Sequence, residues 1–191
     1  LEFRRVLFRS LYYGLYTPVL LSWKLIIDVT AKNSTPASAI VMNAMKILIG
    51  LQWFGYIVAA VGDFTKSYVK MSEKNGSFLV TSGIFSLLRH PNFTGEILSW
   101  TSNALCGIVA ATNLLRREFS FQILSYLGIS LLGWAGIVFV LLRATCNLEE
   151  RQKKDYGDTE KYTKWVNSTW SGWSISSSAN INGSLDEPHE I

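Results

Sequence analysis

The chain has 191 residues, of which 49% are hydrophobic and 17% are charged, and its formal charge is +4. A soluble helical bundle normally carries more polar side chains than this, because they must coat every outer helix face. The small positive charge does not indicate nucleic acid as a partner, because its cations flank apolar segments and no nucleic-acid-binding motif is visible.

The first ten residues, LEFRRVLFRS, are basic and contrast with the apolar sequence that follows them. They do not form a signal peptide, because no small-residue cleavage site follows a clear apolar core. We predict that residues 1–10 are a non-native or partial lead-in. The chain is then expected to be a C-terminal fragment of a longer protein.

Four apolar stretches follow, at about residues 11–29, 40–62, 96–113 and 121–142. Each of them approaches the roughly 20 residues that an α-helix needs to cross a hydrocarbon core. The sequence therefore predicts an all-α fold, a polytopic transmembrane helical bundle with about four membrane helices.

Basic residues are distributed unevenly between the connecting segments. Residues 66–90 and 143–164 carry most of the Lys and Arg, whereas the loops at 30–39 and 114–120 carry only three. Because cytosolic loops of membrane proteins are enriched in Lys and Arg, the loop 64–92 and the C-terminus are predicted to face the cytosol.

Two polar clusters lie at the predicted cytosolic ends of helices. Asp63 and Lys66 are i, i+3 neighbours where the second apolar stretch ends, and Arg143 and Glu149 follow the last stretch. On these residues alone, an interfacial helix end explains the first cluster as well as ligand contact does. A solvated charged face explains the second.

A third polar cluster combines an Arg89-His90 pair with a proline turn and an apolar helix. Asn92, Glu96 and Trp100 are spaced i, i+4, i+8 and so share one helix face. A carboxylate at the mouth of a hydrophobic helix usually persists because it does chemistry or binds a ligand. The helix start and Arg89 would favour a phosphate or carboxylate, although His90 alone fits an interfacial polar residue equally well. This cluster is the strongest candidate site.

Three segments carry a family resemblance: GDFTKSYVK, TSGIFSLLRHPNFTGEILSW and LLRATCNLEERQKKDYGDTEKYTKW. In this order they resemble the C-terminal domain of steroid 5-alpha-reductases, and most closely their little-characterised relatives with an RHPNY-x-GE core. The resemblance covers about residues 50–165. The wider RHPN group includes sterol reductases and membrane methyltransferases acting on isoprenylcysteine and phospholipids. The resemblance implies a membrane enzyme of the endoplasmic reticulum that binds NADPH without a Rossmann fold.

The resemblance also implies roles for single residues. Glu96 is the implied catalytic residue, near the nicotinamide and the substrate, and Trp100 would line the substrate pocket. Glu96 could donate a proton only if apolar surroundings keep it protonated, so holding the nicotinamide carboxamide is the favoured role. The implied cofactor contacts are Asp63, Lys66, Arg89, His90, Asn92 and, for the phosphates, Arg143.

We therefore expect an integral-membrane, NADPH-dependent reductase acting on a C=C bond of a lipid or steroid-like substrate. Two alternatives stay open. A membrane methyltransferase using S-adenosylmethionine shares the RHPN segment and the paired glutamates after the last helix. A non-catalytic membrane lipid-binding protein would keep the same fold. The Asp63-x-x-Lys66 and Glu96-x-x-x-Trp100 patterns favour the reductase.

The sequence also departs from the reductase pattern. Asn147 and Arg151 stand where steroid reductases carry other polar residues, so the identity of the substrate does not transfer. Residues 11–165 are predicted to form the transmembrane catalytic-type domain. Residues 166–191, rich in Ser, Asn and Gly, are predicted to be a disordered polar tail. No metal site is expected, because the two cysteines show no CxxC spacing.

Overall fold

A computed structural model describes residues 15–31, 36–72 and 79–172 of the chain. These ranges form five α-helices and a short 3₁₀ turn, with no β-strand. The elements are α1 Thr17–Ala31, α2 Pro36–Ser72, the 3₁₀ turn Gly83–Ser86, α3 Pro91–Arg117, α4 Phe121–Tyr156 and α5 Glu160–Ser168. The predicted all-α fold is confirmed. The predicted lead-in lies outside the described residues.

Among the described residues, two helices are long and apolar enough to cross a membrane. They are Ala39–Met71 within α2 and Phe121–Tyr156, which is α4. Only 11% and 17% of their most apolar windows are buried inside the bundle, so most of this apolar surface faces outward. Trp53 on α2 and Phe139 on α4, for example, are exposed. Such a surface suits lipid rather than water. Of the four predicted membrane helices, two thus meet the requirements of length and composition.

Helix α3 is the central helix of the bundle, because it packs against α1, α2 and α4. Its buried positions include the polar residues Ser99, Ser102 and Asn103. The Ser99 hydroxyl donates a hydrogen bond to the Gln52 carbonyl oxygen at 2.8 Å, and the Asn103 amide donates to the Leu15 carbonyl oxygen at 2.8 Å. These bonds satisfy polar groups that lipid could not satisfy, so α3 is suited to helix contacts rather than to lipid.

Small residues let α2 and α3 cross at very short range. A Cβ atom built on Gly55 would lie 2.5 Å from the Gly95 carbonyl oxygen, and one on Gly95 would lie 2.6 Å from the Ala59 nitrogen. Further along α2, a Cβ on Gly62 would collide with the Asn92 side chain. Close backbone approach through small residues is a common way to join membrane helices. Here it holds the start of α3 against α2.

The C-terminal helix α5 folds back onto the segment that precedes α3. Its apolar face buries Tyr162, Trp165 and Val166 in a cluster with Leu79. The indole N–H of Trp165 also donates a buried hydrogen bond to the Phe85 carbonyl oxygen at 2.6 Å. Helix α5 therefore belongs to the folded domain.

Ordered structure continues for four residues beyond α5. Thr169 is buried, and Trp170 forms an isolated parallel bridge with Leu88. The Trp170 carbonyl oxygen accepts a hydrogen bond from the Arg89 backbone N–H at 2.9 Å. The predicted tail, residues 166–191, therefore starts too early, because its polar composition does not reveal backbone pairing with a distant segment. The rest of that tail lies outside the described residues.

Candidate functional site

A cavity of about 450 Å³ opens where α2, α3, α4 and the segment before α3 meet. This volume falls within the roughly 300–1,000 Å³ of small-molecule sites. Apolar and polar side chains line it together. Those with polar or charged groups are Lys66, Arg89, His90, Asn92, Glu96, Thr145, Arg151, Gln152, Asp155 and Tyr156.

The structure brings most of the predicted site residues to this one cavity. Five of them line it, namely Lys66, Arg89, His90, Asn92 and Glu96. They come from α2, from the segment before α3 and from the first two turns of α3. Two others, Asp63 and Trp100, contact lining residues from outside, and Arg143 does not reach the cavity.

Asp63 and Trp100 brace the polar face of α3. The Asn92 side-chain amide donates a hydrogen bond to the Asp63 carboxylate, which joins α3 to α2. The Trp100 side chain donates a hydrogen bond to the Glu96 carboxylate. Its ring also meets Tyr56 of α2 edge-on, with the ring centroids 6.0 Å apart. The face expected from the i, i+4, i+8 spacing is therefore held from both ends.

The electrostatics of the cavity vary from one lining group to the next. The half-buried Glu96 carboxylate is repelled by the nearby Asp63 carboxylate, so a hydrogen-bond donor such as a ligand amide would suit it. Lys66 and Arg89 supply positive charge in the same cavity. The Arg89 Nε atom is buried and has no hydrogen-bond partner among the described residues.

The Arg89-His90 pair is anchored by a glutamate from α4. Glu149 Oε1 lies 3.0 Å from His90 Nε2 and 3.5 Å from Arg89 Nη1. Arg89 and His90 are only 6% and 5% exposed, so this is a buried charge cluster. Because an ionised carboxylate only accepts hydrogen bonds, His90 Nε2 is the donor. Glu149 is thus the partner that orients the pair, a contact that sequence reasoning missed.

Tyr162 of α5 interacts electrostatically with Glu149 and Arg89 of this cluster. Burial raises the pKa of the Tyr162 hydroxyl, the negative charge of Glu149 raises it further, and the positive charge of Arg89 partly offsets both. The C-terminal helix is therefore close enough to the charge cluster to be coupled to it electrostatically.

Helix α4 turns one face to the cavity, and Arg143 is not on it. The α4 lining residues are Leu141, Ala144, Thr145, Leu148, Arg151, Gln152, Asp155 and Tyr156. Their spacing of three and four marks one helical face, and Arg143 lies about 200° around the helix from Leu141. Arg143 is exposed, and Arg151 is the α4 arginine that lines the cavity. If the helical spacing of three and four residues is continued past the last apolar stretch, it places Arg151 on this face, so the sequence could have indicated Arg151.

The two cysteines lie apart from the cavity lining. Cys106 is buried within α3, and Cys146 is exposed on α4. Within the described ranges, no group of three or more His, Cys, Asp or Glu residues is placed to hold a metal ion.

The elements that build the cavity lie within the region that one protein-family model matches. A family model described as Protein of unknown function (DUF1295) matches residues 6–169. The chain belongs to this family. The DUF1295 match begins within the predicted lead-in and extends through α5, so the helix that contacts the site is part of the family domain. No curated protein and no solved structure matches the chain.

Proposed function

We propose that this DUF1295 member is an integral-membrane, NADPH-dependent reductase acting on a C=C bond of a lipid or steroid-like substrate. One observation carries the proposal. Asn92 and Glu96, which the resemblance assigns to the nicotinamide and substrate, line one cavity and are braced by Asp63 and Trp100. Two residues named for one chemistry thus line the same cavity, and each has a hydrogen-bond partner of its own outside the lining.

The cavity offers groups that fit the two ends of the cofactor. The Glu96 carboxylate can accept hydrogen bonds from the nicotinamide carboxamide. The Trp100 indole fixes the orientation of the Glu96 carboxylate. Lys66, Arg89 and Arg151 bring positive charge suited to the phosphates. Glu149 Oε1 pairs with Arg89 at Nη1.

In the proposed reaction, one carbon of a C=C bond conjugated to a carbonyl receives a hydride, and the adjacent carbon receives a proton. NADPH, when bound, would supply the hydride, and a protein acid that exchanges protons with solvent would supply the proton. The chain positions the reacting groups: Asp63 holds Asn92, and Trp100 holds Glu96. The apolar part of the lining, including Phe93 on α3, would exclude water from the reacting carbons.

The proposed setting is the endoplasmic reticulum membrane, with the C-terminus and residues 64–92, which include the last turns of α2, in the cytosol. Two helices able to cross a membrane and their outward-facing apolar side chains support membrane insertion. The cavity includes both polar groups and apolar α4 side chains such as Leu141 and Leu148. A lipid-soluble substrate and a water-soluble cofactor could therefore meet there.

A membrane methyltransferase is the second candidate, and one contact favours it. His90 of the RHPN segment lies 3.0 Å from Glu149, the first of the paired glutamates after the last apolar stretch. These are the two features that the chain shares with the methyltransferases of the wider group. The same cavity would then hold S-adenosylmethionine, whose amino group could use a carboxylate such as Glu96.

The test is a side-by-side titration of the purified full-length protein in detergent with NADPH and with S-adenosylmethionine. We expect saturable NADPH binding and a dissociation constant about fivefold or more higher in Glu96→Gln, because a charge-assisted hydrogen bond is lost. Glu118→Gln, an exposed glutamate at the other end of α3, is the matched control and should bind like the wild type.

Each result of the titration has a distinct meaning. Binding of S-adenosylmethionine alone would overturn the reductase and favour methyl transfer. Binding of neither cofactor would favour a non-catalytic lipid-binding protein. NADPH binding that Glu96→Gln and Glu118→Gln affect equally would remove Glu96 from the nicotinamide end of the site.

A further inference from the structure

The C-terminal segment, residues 160–172, lies against the segment that carries the Arg89 side chain. Before Arg89, the Trp165 indole N–H donates a buried hydrogen bond to the Phe85 carbonyl oxygen at 2.6 Å. At Arg89 itself, the backbone N–H donates to the Trp170 carbonyl oxygen at 2.9 Å. Two hydrogen bonds from the C-terminal segment therefore fix this stretch of backbone at two points.

This contact reaches the cavity wall. Phe85, whose carbonyl oxygen Trp165 holds, lines the cavity, and so does Tyr156, which packs against the α5 cluster. Tyr162 of the same cluster lies within electrostatic range of Glu149, the anchor of the Arg89-His90 pair. The C-terminal segment thus supports the cavity from behind without contributing a residue of α5 to its lining.

The other side of the cavity is held independently. Asn92 and Glu96 are on α3, and their braces, Asp63 and Trp100, are on α2 and α3. None of these contacts involves α5. Gly172, at the end of the C-terminal segment, lies against Thr94 on α3. A change at Trp165, by contrast, should disturb the Arg89-His90 side of the cavity and leave the Asn92–Glu96 face in place.

We infer that Trp165 is a positioning residue for ligand binding. By bonding the Phe85 carbonyl oxygen, it holds the Arg89-His90 segment in the arrangement that binds the anionic part of a cofactor, and it does not touch the ligand. The identity of that cofactor rests on the proposed function. The positioning itself rests on the contacts between residues 79–90 and 160–172.

The experiment compares Trp165→Phe with Trp170→Phe in the full-length protein. Trp165→Phe keeps an aromatic ring but removes the N–H donor and leaves a buried carbonyl oxygen unpaired. Trp170→Phe is the matched control, because the Trp170 side chain is 56% exposed and the bond to Arg89 uses only its carbonyl oxygen. Backbone hydrogen exchange is measured first without any ligand. Titration with NADPH and with S-adenosylmethionine follows, to obtain the dissociation constant and the number of sites.

We expect faster exchange in residues 79–90 of Trp165→Phe and a dissociation constant raised about tenfold, with the number of sites unchanged. Trp170→Phe should match the wild type, and Trp165→His, which keeps a ring N–H, should recover part of the affinity. Unchanged exchange in residues 79–90, or fewer sites with an unchanged dissociation constant, would overturn the inference. If the wild type binds neither cofactor while exchange still rises in Trp165→Phe, the proposed function fails and the positioning contact stands.

Discussion

Two regions of the molecule hold α3 in place by different means. At the α2–α3 crossing, Gly55 and Gly95 allow backbone contact, and a hydrogen bond from Ser99 to the Gln52 carbonyl oxygen is added to it. At the start of α3, the Arg89-His90 pair is held by a buried carboxylate 59 residues away in sequence, and Trp165 bonds a residue 80 positions away. The first region depends mainly on residues small enough to let the backbones approach, and the second depends on buried charge and on bonds between segments distant in sequence.

The difference between the regions suggests a division of labour. A crossing made of small residues is rigid and tolerates no added volume, since close-packed interiors respond to single methyl groups. A charge cluster tolerates changes of shape better but depends on every partner, since a buried charge without its counter-ion is costly. We therefore expect the crossing to set the position of the Asn92–Glu96 face and the charge cluster to set the Arg89-His90 end of the cavity.

The largest expected effect comes from breaking the charge cluster. Glu149→Ala leaves the buried Arg89 and His90 side chains without their carboxylate, which should lower the free energy of unfolding by about 3–5 kcal/mol. Glu150→Ala removes the exposed neighbour and should have little effect. Thermal unfolding in detergent measures both variants. Equal stability of the two would mean that the cluster does not hold the segment.

The second largest expected effect comes from adding volume at the α2–α3 crossing. Gly55→Ala puts a Cβ atom 2.5 Å from the Gly95 carbonyl oxygen, so we expect a loss of about 1–3 kcal/mol from overpacking. Gly50→Ala is the control on the same helix, because a Cβ atom there would meet nothing within 4 Å. Since alanine favours helices over glycine, the control should be neutral or stabilising. If Gly55→Ala is as stable as Gly50→Ala, the helices do not cross at this point.

The smallest effect on stability concerns pH. The pKa of the Tyr162 hydroxyl is raised above its ordinary value, so its contribution to stability is complete below the unfolded pKa of about 10. That contribution is lost as the pH rises through the higher folded pKa. Above a pH of about 10, the midpoint temperature of thermal unfolding should therefore fall more steeply for the wild type than for Tyr162→Phe. Parallel curves for the two proteins would show that the pKa of the Tyr162 hydroxyl is not raised in the folded protein.

The sequence predicted well the features that depend on the helical repeat within one segment. Apolar length predicted the helices, and the i, i+4, i+8 spacing predicted the face of Asn92, Glu96 and Trp100, which the structure shows as one braced group. These features are local, because a helix determines which of its own residues share a face.

Contacts between distant segments were not predictable in the same way. Nothing in the run from Glu149 onward indicates that its first carboxylate turns inward to His90, because a charged helix end looks the same whether solvated or buried. Arg143 was assigned through the resemblance and Arg151 was set aside as a departure, yet the face of α4 brings Arg151 to the cavity. The role of Trp165 depends on a chain reversal after α4 that periodicity does not reveal.

The most direct test of the proposed cofactor site is the dissociation constant for NADPH of Arg151→Gln compared with Arg143→Gln. If the cavity is the cofactor site, Arg151→Gln should weaken NADPH binding about tenfold, the size of one charge-assisted contact to a phosphate, while Arg143→Gln binds like the wild type. Weaker binding in Arg143→Gln with unchanged binding in Arg151→Gln would contradict the account and move the cofactor to the other face of α4.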